Sequence, residues 1–329
     1  MRDIAPLQDR FGRRIDYLRL SLTDRCDLRC SYCRPHAFDG YSEPENWLSF
    51  EEITRVVAAF ARMGAGRIRL TGGEPLLRRN LVQLVGQLSA LPGVHDLSLS
   101  TNATQLAKHA TALKAAGLAR INVSLDSLDR ACVREVSGRD SLDAVMAGIM
   151  AGKAAGLTPI KLNMVAMRGV NEHEITRMAA FCLEHGFILR LIEAMPVGDS
   201  GRNTAYLSLD EVRPVLVERF GLTPSSAELG GGPARYWETA DGRGRIGFIT
   251  PISQHFCATC NRVRLSVDGT LYLCLGQEER FELRPLLRAG IDDAGLEAAI
   301  RQAVELKPHS HDFVAAPQKI MRFMSQTGG

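Results

Sequence analysis

The chain of 329 residues contains no run of about eighteen apolar residues, so no ordinary membrane-spanning helix is expected. Its start, MRDIAPLQDRFGRR, carries no apolar stretch of the kind a secretory signal needs, and a cytoplasmic location is expected. Aromatic residues are few, at 6%, and the net charge is only +3, from 40 basic and 37 acidic residues. That combination argues against a broad nucleic-acid surface of basic residues and stacking platforms, while leaving room for a local basic pocket. No repeat of 20–50 residues, low-complexity tract or long charge run stands out, which argues against a solenoid or a disordered tail. What remains is ordinary globular composition, 45% apolar and 23% charged. It is enough for one large domain and a smaller one, each with a full core.

Against this background the eight cysteines are informative. In a reducing compartment they argue for metal binding or catalysis before disulfides. Cys26, Cys30 and Cys33 stand at C-x3-C-x2-C in TDRCDLRCSYC. Three thiolates on so short a loop can grip three corners of a [4Fe–4S] cube, leaving one iron open where such a cluster normally has a fourth cysteine. Structural zinc wants four ligands, usually as two C-x2-C-like pairs, and fits this triplet poorly. Cys132 and Cys182 sit in helix-like contexts and read as small buried apolar side chains.

Short apolar strands alternate with amphipathic helices. YLRLSL (17–22) reads as the first strand, and the triplet follows it. Ser49 with Glu52 forms a capping box that opens a helix to about Met63. Further strands are read at 67–70, 96–100, 120–125, 159–167 and 187–193, each followed by a helical stretch. Six β–α units favour a parallel sheet with right-handed crossovers. The expectation is an incomplete, TIM-type (β/α)6 barrel; a doubly wound open sheet is the alternative, and periodicity does not separate them. Either way, ligands belong at the C-terminal strand ends, where the triplet, TGGEP (71–75), Ser100, Ser124 and Met195 fall. The Gly-, Ser- and Arg-rich stretch 225–245 reads as a boundary, giving residues 1–224 as the barrel and 225–329 as a smaller α+β domain with a β-hairpin.

Two adjacent glycines in TGGEP let backbone approach a ligand closely, although a plain strand-to-helix turn would look the same. A second cysteine set, Cys257, Cys260 and Cys274, has the spacing C-x2-C-x13-C. A two-residue Asp268-Gly269 turn pairs Val263 with Cys274 and so returns Cys274 close to Cys260. By itself this set is compatible with zinc, His255 being a candidate fourth ligand, or with iron–sulfur; the first triplet tips it toward a second [4Fe–4S] cluster. Arg262 and Arg264, at i and i+2, share one strand face. The two-residue turn puts them opposite Cys274, and a one-residue slip would reverse that. Arg19, Arg69, Lys161 and Arg190 lie in four of the six predicted strands, where a buried cation is costly unless paired. A shared polyanion site is expected, with independent salt bridges as the alternative.

The first triplet, with Tyr32 before its third cysteine, resembles the radical S-adenosylmethionine (SAM) superfamily. TGGEP looks like that superfamily's GGE motif. With the second cysteine set and the motif FCATCNRVRLS, the chain from about residue 14 onward resembles the molybdenum cofactor biosynthesis protein A family of GTP 3′,8-cyclases. The resemblance implies two [4Fe–4S] clusters, one held by Cys26, Cys30 and Cys33, the other by Cys257, Cys260 and Cys274. It implies a SAM site with Tyr32, Gly73, Glu74, Ser124 and Met195. It implies a GTP site with Arg19, Arg69, Ser100, Lys161, Arg190, Arg262, Val263 and Arg264. Ser100 stands where threonine is usual, and Ala103 replaces a glycine in the same turn. No side chain is assigned as a separate catalytic group, because cluster-bound SAM supplies the radical. The Gly328-Gly329 end resembles the family's double-glycine tail, which reaches toward the active site.

The implied reaction converts GTP to 3′,8-cyclo-7,8-dihydro-GTP in molybdenum cofactor biosynthesis, beginning with hydrogen removal from C3′. The implied partners are an electron donor, a downstream pyranopterin-forming enzyme and a second copy of the chain as a homodimer, with neither nucleic acid nor membrane. The alternatives are another radical SAM enzyme with an auxiliary cluster, acting on peptide or RNA, or a zinc-bound interaction module.

Overall fold

A computed structural model describes residues 5–35, 38–227 and 229–328. Six strands run parallel in chain order: β1 (Tyr17–Ser21), β2 (Arg67–Thr71), β3 (Asp96–Thr101), β4 (Arg120–Ser124), β5 (Lys161–Ala166) and β6 (Ile188–Glu193). The helices between them are α1 (Phe50–Arg62), α2 (Leu81–Ser89), α3 (Leu106–Ala115), α4 (Arg130–Ser137), α5 (Leu142–Ala154) and α6 (Ile175–His185). The capping box at the start of α1 is formed on both sides, Ser49 Oγ accepting from Glu52 N and the Glu52 carboxylate from Ser49 N.

The later part of the chain extends the same sheet instead of standing apart from it. After α7 (Gly198–Arg202) and α8 (Leu209–Phe220) come β7 (Thr223–Pro224), β8 (Arg235–Glu238) and β9 (Arg245–Ile249), with β9 parallel on β6. At the other edge β10 (Arg262–Leu265) lies parallel on β1, with β11 (Thr270–Tyr272) and β12 (Arg280–Glu282) beyond it. Eight parallel strands therefore form in place of the six expected, and β9 and β10 are not paired, so the barrel stays open at that seam. The stretch 225–245, read as a boundary, contains β8 and leads into β9. Its glycines and prolines hide a short hairpin. The chain ends through α9 (Arg284–Arg288), α10 (Asp293–Glu305) and a short α11 (Met324–Thr327).

Along each strand, alternate side chains separate. Leu18, Leu20, Ile68, Leu70, Leu162 and Met164 enter one apolar core together with helix residues such as Val56, Phe60 and Leu84. Tyr17, Arg19, Arg69, Asn163 and Arg190 turn to the other face, where they line cavities. Residues from β1, β2, β5, β6 and β10 reach one cavity, which requires a strongly curved sheet.

The hairpin register departs from expectation. Arg264 faces Tyr272 and Leu265 faces Leu271. The loop holds three residues, Val267, Asp268 and Gly269, with Ser266 N donating to Thr270 O and Gly269 at φ +84°. A three-residue loop closed by a left-handed glycine replaces the two-residue turn. This one-residue slip puts Arg262, Arg264 and Cys274 in one cavity instead of on opposite faces.

Candidate functional site

Two adjoining cavities lie on the inner face of the parallel strands, one at their C-terminal ends and the other deeper, among residues from the starts and middles of the strands. One, of about 160 Å³, is lined by Cys26, Cys30 and Cys33. The other, of about 120 Å³, is lined by Cys257, Cys260 and Cys274. They share Asn163, Ile192 and Met195 as a common wall. All eight cysteines are free thiols. Cys182 lies in the main core, and Cys132 packs with Val136 and Met167.

The first triplet sits on the loop after β1, and backbone bonds fix that loop. Arg29 N and Ser31 N donate to the carbonyls of Ser137 and Val136 at the end of α4. The Arg34 guanidinium donates to the carbonyls of Cys26 and Leu28. Asp27 accepts from Asn102 Nδ2 at 2.8 Å and Thr104 Oγ1 at 2.6 Å, tying the loop to the end of β3. The TGGEP glycines pack on the same loop, Gly73 N donating to Thr23 O at 2.7 Å. A Cβ at Gly73 would stand 2.2 Å from Arg25 O, so only glycine fits.

Tyr32, Gly73, Ser124 and Met195 line this cavity, and so does Ser100, whose buried Oγ has no partner. The structure thus puts Ser100 with the first triplet, apart from the arginines it was grouped with in the sequence. Tyr32 is held by its hydroxyl, which donates to Asp126 Oδ2 at 2.9 Å. Glu74 does not line the cavity. Its carboxylate accepts from Thr101 Oγ1, Asn102 N and Leu76 N, and burial pushes it up to about 7 despite these bonds. Ala103 takes φ +62°, the left-handed region that favours glycine.

Burial pushes Cys26 up to about 12 and Cys33 up to about 11. Such thiols ionise only when a metal takes the thiolate. Among the described residues no three His, Cys, Asp or Glu side chains stand grouped around a single metal ion. His255, the candidate zinc ligand, faces the His311 ring instead, with centroids 5.9 Å apart. The cysteines wall cavities, and this donor set fits an iron–sulfur cube better than a tetrahedral ion.

The second cavity is cationic. Arg19, Arg69, Arg190, Arg262 and Arg264 line it, and among the described residues no carboxylate does. Register makes Arg19 the neighbour of both Arg69 and Arg264. Among the described residues the buried Nε atoms of Arg19, Arg262 and Arg264 have no hydrogen-bond partner. Arg69 lies over the Tyr17 ring, and Arg190 donates to Asn163 Oδ1 at 2.8 Å and Asn122 Oδ1 at 2.7 Å. Burial, then the neighbouring Arg262, pulls Arg264 down to about 10. Like charges held this close need an anion between them. Burial raises the Cys260 thiol, but Lys307 and Arg262 outweigh it and bring it down to about 7.

Besides Ser100, two residues of the expected GTP site stand outside this cavity. Val263 is buried in the apolar core. Lys161 lines neither cavity, donates to Leu229 O at 2.8 Å, and is pulled down to about 6 by burial and by Arg190, Arg120 and Arg69. The tail does approach the site: Met324 lines the first-triplet cavity, and a Cβ on Gly328 would meet the Thr71 side chain at 2.3 Å. Gly329 lies outside the described residues.

Sequence reasoning missed Asn163, Asp27, Asp126, Arg13, Lys307 and Arg322. Asn163 carried a signal, since it shares a strand face with Lys161 at i+2. The three cations carried none, because they bind carbonyls far away in the chain.

A family model described as "Radical SAM superfamily" matches residues 20–182, and one described as "Molybdenum Cofactor Synthesis C" matches residues 187–313. Curated relatives named GTP 3′,8-cyclase are 48% identical in Erythrobacter litoralis, over 99% of this chain and 99% of the relative, and 46% identical in Pseudomonas entomophila, over 98% of each. The solved structure of Streptococcus suis SuiB bound to S-adenosylmethionine aligns with a TM-score of 0.59 at 17% identity, covering 91% of this chain and 68% of that one, a likeness of fold. The chain belongs to the radical SAM superfamily and, within it, to the GTP 3′,8-cyclase family.

Proposed function

We propose that this chain converts GTP to 3′,8-cyclo-7,8-dihydro-GTP for molybdenum cofactor biosynthesis, with two [4Fe–4S] clusters and SAM. The observation that carries this reading is the pairing of cavities: five arginines with no carboxylate partner among the described residues beside one cysteine triplet, across a shared wall from the other triplet. When bound, the first cluster and SAM supply the radical chemistry that starts at C3′ of the ribose.

The chain itself binds, orients and excludes water. Cys26, Cys30 and Cys33 hold the first cluster; Gly73, Ser124, Met195 and Tyr32 flank the SAM site. Arg19, Arg69, Arg262 and Arg264 grip the triphosphate, since guanidinium forks match phosphate oxygens. Arg190, fixed by two asparagines, and Asn163 hold the ribose side of the substrate at the shared wall. Phe256, Ile249 and Phe313 close the cavity against water. This is catalysis by positioning. Cys257, Cys260 and Cys274 would hold the second cluster, on the side of the cavity where the base would lie. Residues 1–224 hold SAM in this reading, and 225–329 complete the GTP site. A cytoplasmic location, an electron donor and a downstream pyranopterin-forming enzyme belong to the same reading. Among the described residues no helix is long and apolar enough to cross a membrane.

The test is anaerobic incubation with SAM, dithionite and each nucleoside triphosphate, followed by mass spectrometry. A product of GTP mass, cyclised and formed only from GTP, is expected. Cleavage of SAM with every triphosphate left intact would defeat the proposal.

A further inference from the structure

Three buried cations stand behind the second triplet, two gripping cysteine carbonyls and the third the carbonyls of neighbouring residues, and they differ in a further respect. Arg13 donates to Cys257 O at 2.9 Å and is neutralised by Asp9, 2.6 Å away. Arg322 donates to Cys274 O at 2.7 Å and is neutralised by Glu278, 2.9 Å away. Lys307 donates to Arg262 O at 3.0 Å and to Leu273 O, bridging the strand after Cys260 to the residue before Cys274. It is 1% exposed, lines neither cavity and, among the described residues, has no carboxylate at salt-bridge distance.

A buried ammonium with only carbonyl partners is costly, and its own strand carbonyls do not supply a counter-charge. The substrate cannot supply it either, because Lys307 does not reach the cavity. The group beside it that carries negative charge is the thiolate set. We infer that Lys307 is a positioning residue that provides the fixed counter-charge of the second metal centre and raises its reduction potential, whereas Arg13 and Arg322 only hold its cysteines in place. This rests on the reading of Cys257, Cys260 and Cys274 as cluster ligands. Adding an electron adds negative charge, so a fixed cation favours the reduced form.

The experiment uses the full chain with Cys26, Cys30 and Cys33 changed to serine, so that only the second centre can give an electron paramagnetic resonance signal. Its midpoint potential is measured by mediated titration in that background alone and with Lys307→Gln, Lys307→Arg or Arg13→Met. Glutamine keeps donors for the two carbonyls and removes the charge. The reduction equilibrium constant is expected to fall about tenfold in Lys307→Gln, which is about 59 mV for one electron. Lys307→Arg is expected to restore it. Arg13→Met is expected to lose iron from the site while the clusters that remain keep the parent potential. If Lys307→Gln fails to retain iron, Lys307→Met is titrated in its place, with the same expected fall. An unchanged potential in a charge-free variant that holds iron overturns the inference, as does an equal shift in Arg13→Met. Absence of any cluster in the parent background would instead overturn the two-cluster reading.

Discussion

Arg190 Nε donates to Asn163 Oδ1 across 2.8 Å, and Asn163 forms part of the wall between the two cavities. One amide therefore touches both the anion site and the site beside the first triplet. A hydrogen bond to a charged group contributes about 1.5–3 kcal/mol. In Asn163→Ala, Arg190 keeps Asn122 but loses the anchor at the shared wall, and SAM cleavage is expected to uncouple from cyclisation. The ratio of cyclised product to 5′-deoxyadenosine, read by chromatography, should fall about tenfold or more. A ratio like that of the parent would remove Asn163 from the coupling role.

Among the described residues Arg262 and Arg264 have no partner at Nε, and they face the same space as Arg19 and Arg69. Replacing both by alanine is expected to weaken GTP binding about a hundredfold or more, at about 1.5–3 kcal/mol for each charged contact. SAM affinity should stay close to that of the parent, because neither residue lines the first-triplet cavity. Calorimetry with GTP and then with SAM checks both halves.

Gly73 shows the converse. Its Cβ position is blocked by Arg25 O at 2.2 Å. Gly73→Ala must displace the triplet loop, so SAM binding is expected to fall at least about tenfold while GTP binding persists. Retained SAM affinity in a folded Gly73→Ala protein would show that the loop yields without consequence.

Glu74 accepts from three buried donors. Glu74→Ala strands Thr101 Oγ1 and the amides of Asn102 and Leu76, at about 1–3 kcal/mol for each unsatisfied group. Thermal unfolding should begin several degrees lower. First-cluster iron should fall too, since Asn102 is also the anchor of Asp27.

Lys161 gives a pH dependence with a definite sign. Burial holds it at about 6 in the folded protein, against 10.5 ordinarily. Between these values the unfolded chain binds more protons, so stability rises with pH across that window and is lost as pH falls toward 6. The slope from this one group is at most about 1.4 kcal/mol per pH unit. Urea midpoints of Lys161→Met between pH 6 and 9 are expected to vary less than those of the parent.

The local rules of the sequence carried the barrel far. Alternation in YLRLSL, the Ser49–Glu52 box and the positions of six strands match the structure closely, because each is decided within a few residues. Both cysteine triplets and the five arginines were legible as unusual residues in buried strands. What was not legible depends on distant pairing. The Asp268-Gly269 signal fits a two- or three-residue loop, and only the pairing of Arg264 with Tyr272 decides between them. Strands β8 and β9 are short and set among glycines, and their stability comes from β6. Lys307 looks like any surface lysine until α10 places it behind β10 and β11.

Arg19 and Arg264 are register neighbours on β1 and β10, although 245 positions separate them. A nascent chain leaving the ribosome exposes its first cysteine loop long before its nucleotide grip exists. Radical-generating machinery could thus be loaded early, but nothing could be gripped by it until the final strands had docked. Early termination would leave a half-lined trough, with no partial version of the substrate clamp.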